Sequence, residues 1–523
     1  MSDDAVSASA RGATFLILLQ MSSRALTFAL NQILLRFLSP QLLGVSVQLE
    51  LYVISTLYFS RESLRIATQR RSDGGVQAAI NLSYLAILAG GPIGLLFAQM
   101  YLRGNLPDVP YLQLALRINE VAAMIELFSE PGFVVVGQHM LYKVRASAEA
   151  AAVVMKTLAT AGLVFWSRYQ GVEVGVLPFA AGELAYSSSL AVVYLWNTAS
   201  FTRQNKLSLL PSRMTSSPDY IFSLFFKPLL SLSFSLYIQS GIKYVLTQGD
   251  SLLIAWLATL EDQGMYALSA NYGGLVARML FRPIEDSSRN LFAKLCASTD
   301  DKGAKPEDGK KSYQQAAVIL KDILHIYSIG SLVAFALGPT AAPLLLRLVA
   351  GARWADTGAG EVLGTYCYYI PLLAINGVSE AFVAATASTL ELRHQSLWMG
   401  AFFAGFAGSA WYFLAVLGMG AKGLVLANCV NMALRILFNL SFVTSFFSKH
   451  GVTFNIGDLL PTPGAIAIAA IIPTLLPRVT ASLSMYGLLG DLVAIGGIGV
   501  VFALVLLVLE QTFLLDCYRR FKS

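Results

Sequence analysis

Runs of about 18 or more apolar residues recur from one end of this chain to the other, each long enough to cross a hydrocarbon core of roughly 30 Å. No other feature of the sequence limits the fold as strongly. Inside lipid a backbone N–H or C=O finds no water, so a spanning segment must close its own hydrogen bonds as a helix or join a closed barrel. A barrel reads as ~10-residue segments of alternating hydropathy, whereas these runs are continuous. The chain is therefore expected to be an all-α polytopic membrane protein. Its charge content agrees: 13% of 523 residues are Asp, Glu, Lys or Arg, about half the roughly 25% of a soluble domain.

About fourteen spans can be drawn, near 12–38, 42–59, 76–101, 111–137, 146–166, 174–199, 222–257, 263–296, 313–337, 361–388, 396–417, 421–447, 462–477 and 485–509, each boundary good to about two to four residues. The 222–257 run is too long for one straight crossing. Gly241, Gly249 and Asp250 lie within it, so a bend or break is expected there. The 263–296 run is expected to leave the membrane after Arg278 as an amphipathic helix. The stretch 339–350, cut by Pro339 and Pro343, is expected to lie along the membrane.

Lys and Arg fall mostly on one side of this alternation, about 24 against about seven, which assigns that side and both termini to the cytosol. The organisation expected is an N-terminal six-helix lobe (1–200), a cytosolic linker (201–221), a C-terminal six-helix lobe (222–447) and two further helices with a cytosolic tail (448–523). The polar stretch 297–312 reads as a disordered cytosolic loop. A weak internal echo at an offset of 220 residues pairs Leu26-Thr27 with Leu246-Thr247 and Gly44 with Gly264. It fits two pseudo-twofold-related lobes, an arrangement that places a substrate path between them.

The sequence carries no catalytic constellation. His139, His325, His394 and His450 are scattered, and no HExxH occurs. Gly303–Lys311 departs from a P-loop in spacing and lacks the Ser or Thr after its Gly-Lys. No enzyme activity, cofactor or metal is therefore expected. Cys296, Cys367, Cys429 and Cys517 form no CxxC pair and read as small buried hydrophobes. The net charge of +6 is spread over loops, so it reports orientation and no nucleic-acid partner is expected. Two sequon-like triplets, at Asn81 and Asn439, fall within spans and should not be glycosylated.

Charge inside the spans is the informative signal, since an Arg, Lys or Asp at mid-bilayer costs roughly 2.5–3.5 kcal/mol and usually faces a cavity or a partner. Arg24, Lys156, Arg278 and Arg435 sit deep in their spans; Lys243 and Asp250 lie on span seven. Acidic counterparts are Glu50, Glu120, Glu126, Glu183 and Glu380. One reading is a cationic site for an anionic headgroup, because guanidinium forks match phosphate oxygens. The other is internal ion pairing: Arg117 and Glu120 are three apart on one helix. Arg61 and Arg65, four apart on one face, could bracket a phosphate or anchor the span end, and Glu126 and Glu130 lie level with them.

Several stretches, in order along the chain, are RFLSP (36–40), RESLR (61–65), ELFSEP (126–131), DQGMY (262–266), GLVARMLFRPIED (274–286), LLAINGVSE (372–380) and ANCVNMALRI (427–436). In these the chain resembles the eukaryotic Rft-one family of dolichol-linked oligosaccharide assembly, which belongs with lipid II flippases and multidrug-antiporter-like exporters. The resemblance covers all but the last two spans. It implies two six-helix lobes plus two helices, in the endoplasmic reticulum. It implies translocation of a mannose-rich dolichyl-pyrophosphate oligosaccharide from the cytosolic to the lumenal leaflet for N-glycosylation, by alternating access through a cationic inter-lobe cavity. Family motif positions fall on Arg24, Arg36, Arg61, Arg65, Arg278 and Arg435, expected at the headgroup, and on Asp250, Glu285 and Asp286. With Glu126 and Glu380 these acids are expected in gating or ion-pair roles. One departure is Asp250-Ser251, where the family carries Glu and a basic residue. The expected partners are the lipid-linked oligosaccharide and membrane lipids, with the chain a monomer. The alternative is a non-transporting accessory protein that binds and organises the same glycolipid.

Overall fold

The computed structural model describes residues 32, 34–70, 74–103, 107–205, 207–214, 219–297, 306–351, 354 and 356–522. It is almost wholly helical, as lipid-embedded backbone requires. Two compact units, Met1–Leu252 and Leu253–Ser523, divide the chain. The first holds α1 (Pro40–Arg70), α2 (Gly75–Arg103), α3 (Leu112–Leu127), α4 (Glu130–Gln138), α5 (Tyr142–Gln170) and α6 (Leu177–Gln204). A small antiparallel hairpin, β1 (Tyr220–Ile221) and β2 (Phe225–Phe226), then leads into α7 (Lys227–Leu257), in which the unit boundary falls. The second unit holds α8 (Leu260–Val276), a π turn (Ala277–Phe281), α9 (Arg282–Ala297), α10 (Pro306–Ala350) and α11 (Ala359–Thr386). It continues with α12 (Thr389–Trp411), a second π turn (Tyr412–Val416), α13 (Gly420–Lys449), α14 (Pro463–Leu483), α15 (Gly487–Leu509) and α16 (Gln511–Lys522). Among the described residues, nine helices are long and apolar enough to cross a membrane.

The helix order follows the expected spans; most of the first, 12–38, lies outside the described residues. Four local expectations change. The 111–137 run is two helices, because Pro131 has no N–H and fits only a first turn. The chain therefore stops at Phe128–Ser129 and restarts at Glu130. Of the bend or break expected in 222–257, there is no break: α7 is helical through Gly241, Gly249 and Asp250, and its start is displaced to Lys227 by the hairpin. Residues 339–350 do not form a separate surface segment, since α10 runs through Pro339 and Pro343 as one helix. Gly364 and Gly360 of α11 lie against those two prolines, where a Cβ would collide. Close packing by small residues supports the interrupted ladder. Finally, α10 already begins at Pro306, within the stretch read as a loop.

Close helix approach also shapes the first unit. Gly182 of α6 lies against the Lys156 carbonyl and Thr160 of α5, and Gly132 of α4 against Thr198 and Tyr194 of α6. In the second unit Phe292, Phe382, Phe446, Phe447 and Phe454 form an aromatic core. Ring centroids there are 5.2 Å apart for Phe292–Phe382 and 5.1 Å for Phe382–Phe447. The two helices α14 and α15 pack on α10 through Leu332, Ala336, Ala469, Ile472, Ile495 and Phe502.

The linker is ordered where it is described. Gln77 and Asn81, one turn apart on α2, present their amides to its backbone. Gln77 donates to the Ser208 carbonyl at 3.0 Å and accepts from the Ser208 N–H at 2.8 Å. Asn81 donates to the Ser212 carbonyl at 2.7 Å and accepts from the Ser212 N–H at 3.0 Å. Asn81 also donates to the Leu224 carbonyl at 2.9 Å, and the Tyr84 hydroxyl to the Leu209 carbonyl at 2.9 Å. Asn81 and Asn439 are both buried.

Candidate functional site

The break at Phe128–Ser129 sets two acids one turn apart, on the last turn of α3 and the first turn of α4. Both Glu126 and Glu130 are buried, and both point at α1. Arg61 Nη1 lies 2.8 Å from Glu126 and 3.1 Å from Glu130. Arg65 donates from Nε to Glu130 at 2.9 Å and from Nη2 to its other oxygen, a bidentate fork. The Arg65 guanidinium also stacks on the Phe133 ring at 3.7 Å. Two guanidiniums thus face two carboxylates, with no charge left over. A charge in hydrocarbon is tolerable only when paired and hydrogen-bonded, and this geometry meets both conditions.

A second ion cluster lies between α5 and α6, brought together by Gly182. Lys156 Nζ is 2.7 Å from Glu183 and 3.7 Å from Glu50 of α1. The ammonium lies 5.9 Å from the Tyr186 ring centroid. Buried beside these helices, the Asn119 amide nitrogen and the Ser187 hydroxyl have no partner among the described residues.

The second unit has its own polar stratum. On α11, Asn376 donates to Glu380 at 3.0 Å, and Glu380 lies 3.7 Å from Arg435 of α13. Asn439, one turn beyond Arg435, donates to Asn376 and Ser379, both at 3.3 Å. The Glu285 carboxylate of α9 presses against Gly377 of α11, a position where any Cβ would collide with it. Asp262 joins two helix starts. It accepts from the Thr259 hydroxyl at 2.6 Å and from the Ala421 N–H of α13 at 2.7 Å.

At the far end of this unit, Glu510 follows α15 and is buried. It accepts from the Thr462 N–H at 2.7 Å and lies 3.3 Å from His325 Nε2 of α10. Burial works to raise the Glu510 carboxyl, but the Thr462 N–H and the His325 ring outweigh it and hold the group below the usual carboxylate range. Arg520 of α16 donates to Asp322 of α10 at 2.9 Å, so the basic tail is a docked helix.

Of the residues singled out from sequence, the structure brings together Arg61, Arg65 and Glu126, and separately Arg435 and Glu380. Glu285 joins the second group through Gly377. Asp286 is exposed and 3.9 Å from Arg289. Asp250 accepts its neighbour Ser251's N–H at 2.8 Å. Arg36 is exposed. Arg24 lies outside the described residues, and for Arg278 the description covers the backbone, in the first π turn. The sequence reading missed the Asn376–Ser379–Asn439 network, the Gln77–Asn81 clamp and the Glu510–His325 junction. Paired asparagines at matching depth in neighbouring spans were the available signal for the first. Among the described residues, no group of three or more His, Cys, Asp and Glu could hold a metal ion.

The family model described as Rft protein matches residues 8–520. A curated protein of Yarrowia lipolytica, named "Man(5)GlcNAc(2)-PP-dolichol translocation protein RFT1", is 33% identical, over 90% of this chain and 74% of its own. A mouse protein of the same name is 32% identical, over 86% of this chain and 84% of its own. Among solved structures, the lipid II flippase MurJ in an inward closed conformation superposes with a TM-score of 0.61 at 13% identity, covering 94% of this chain and 99% of that one. An inward-facing MATE-family multidrug transporter superposes with a TM-score of 0.55 at 13% identity, over 82% of this chain and 95% of that one. At such identities the structures establish shared fold alone, that of a polytopic transporter; the family match spans nearly the whole sequence, and the chain belongs to the Rft protein family.

Proposed function

We propose that this chain itself carries a mannose-rich dolichyl-pyrophosphate oligosaccharide from the cytosolic to the lumenal leaflet of the endoplasmic-reticulum membrane, with both termini in the cytosol and no chemical change to the lipid. The names of its relatives and its likeness to a lipid flippase fold support this reading. The observation that carries it is the Arg61–Arg65–Glu126–Glu130 cluster, forked guanidiniums held ready inside a bundle of apolar helices. Carboxylate and pyrophosphate oxygens take the same donor geometry. A pyrophosphate can therefore exchange with the glutamates and keep the arginines paired; the displaced carboxyls take up protons, so no bare charge stays buried. Sugars and phosphates do not cross lipid unaided, because desolvating them is prohibitive. In this proposal Arg24, Arg36, Arg278 and Arg435 also serve the headgroup, while Asp250, Glu285, Asp286 and Glu380 act in gating or ion-pair roles during alternating access.

The test reconstitutes purified chain into liposomes with the glycolipid in the inner leaflet and follows its appearance outside with a mannose-binding lectin. Transport above protein-free liposomes, lost in an Arg61→Met/Arg65→Met variant that still folds, is the expected result. Binding without transport in the unmodified chain would replace this reading with the accessory role.

A further inference from the structure

The hairpin before α7 has a conformation that its sequence does not favour. Tyr220 pairs with Phe226 and Ile221 with Phe225, leaving Phe222–Leu224 as the tip. The tip is closed by the Leu224 N–H on the Ile221 carbonyl at 3.0 Å. Phe222 and Ser223 are both left-handed, at φ +53° and +54°. Tight hairpins with successive positive φ values select Asn-Gly, and for a bulky side chain this region is a true outlier. Such strain persists only where the surroundings over-determine it.

They do so here. The Met214 N–H bonds the Ser223 carbonyl at 2.7 Å, the Lys227 N–H bonds the Asp219 carbonyl at 2.8 Å, and Asn81 holds the Leu224 carbonyl. Phe226 packs into the α1–α2 cluster of Ala67 and Leu82 and lies against Gly74. The effect of this scaffold is to hold one apolar side chain outward: Phe222 is 84% exposed.

What covers that side chain follows from its neighbours. On α7, which starts five residues later, Phe234, Ile238 and Ile242 recur every fourth residue as an exposed apolar stripe, one helix face turned toward lipid. Phe222 precedes this face in the chain, with Phe226 and Leu230 between them packed on the α1–α2 cluster. In the sequence Arg213 precedes the hairpin and Lys227 follows it, with Asp219 the acid between them. An aromatic beside basic residues at the end of a span is the pattern of a membrane–water interface.

We propose that the β1–β2 hairpin is a membrane anchor, with Phe222 immersed in the interfacial zone of the leaflet at the basic end of α7 and the Gln77–Asn81 clamp setting its depth. This holds whatever the chain transports. A partner protein at the tip is the competing occupant.

The test places a nitroxide at Phe222→Cys in a full-length chain whose four cysteines are replaced by alanine, reconstituted into phosphatidylcholine–phosphatidylserine vesicles with no other protein. Collision with oxygen, which partitions into lipid, is compared with collision with a water-soluble nickel chelate. The ratio should exceed that of the same label at Lys311→Cys by roughly threefold. Gln77→Ala/Asn81→Ala should bring it back toward the Lys311 value, whereas Ser223→Gly, which relieves strain within the tip and keeps the clamp, should leave it high. Equal ratios at 222 and 311, or protection from both reagents, would overturn the proposal. A chain keeping its cysteines gives an independent readout. The emission added by Phe222→Trp should be quenched by brominated lipid; quenching by aqueous iodide instead would refute immersion.

Discussion

The Arg65–Glu130 pair allows stability to be separated from transport. Glu130 is 1% exposed and takes both forks of Arg65 as well as Arg61. Removing one partner of such a buried pair strands the other, at a cost of about 3–5 kcal/mol. Arg65→Met should therefore destabilise the fold by about 3 kcal/mol, and Glu130→Leu by a similar amount, because it strands Arg65 while Arg61 keeps Glu126. Met retains the apolar contact with Phe133, and the double variant leaves Arg61 with Glu126 at 2.8 Å. Replacing both members of a buried pair by apolar residues is often neutral or stabilising. Arg65→Met/Glu130→Leu should then recover most of the loss, with a coupling energy of about 2–3 kcal/mol. Reversible unfolding of the purified chain in mixed micelles, titrated with denaturing detergent, gives the four corners of this cycle. Additive losses would refute the view that the pair is a closed electrostatic unit. Transport by the double variant then separates roles. If the arginine serves the headgroup, transport falls while stability returns; if the pair is only structural, both return.

Lys156→Met should destabilise by about 3 kcal/mol by stranding Glu183, and adding Glu183→Gln should restore most of it in the same unfolding assay. Gly377→Ala should cost less than about 1 kcal/mol, below the range for a rigid overpacked site, because the Glu285 carboxylate it meets can turn away; Glu285→Ala in that background should relieve what cost remains, and a larger loss that Glu285→Ala does not relieve would refute this reading. The native Glu510 carboxyl is held below its unfolded value, so its contribution is complete above about pH 4.3 and is lost as pH falls through the lower native value. Proteolytic cleavage near Gln511–Lys522 should rise over that acid window, and Glu510→Gln should remove the carboxyl's share of the dependence. Because Asn81 and Asn439 are buried with engaged side chains, a glycosidase should produce no mobility shift attributable to either.

The spans were legible because lipid leaves the backbone little choice, so apolar run length carries most of the secondary structure. The same rule explains the misreading of α7 and α10. Gly249 and Pro339 are breakers in water, but in close-packed or apolar surroundings an abandoned hydrogen bond costs more than the residue's poor propensity. Pro131 is the opposite case, acting as a breaker inside a run that hydropathy joined. In the candidate site the residue types were readable and most of the partners were not. Arg61 and Glu126 could be placed at one depth from their span positions. That Lys156 meets Glu183 depends on the Gly182 crossing of α5 and α6, and that His325 meets Glu510 spans 185 positions. Neither separation leaves a trace in local pattern.

The arginine–glutamate cluster also bears on how the chain enters the membrane. Arg61 and Glu130 are 69 positions apart. At about 5–20 residues per second, α1 emerges several seconds before the acids that neutralise it. During that interval its two guanidiniums, just beyond the 42–59 span, can reach only the interface by snorkelling. The end of α1 is therefore completed when α3 and α4 arrive, which makes α1 to α4 a single unit of biogenesis. A substitution such as Glu130→Leu should therefore also lower the yield of membrane-integrated chain, separately from its effect on the folded protein.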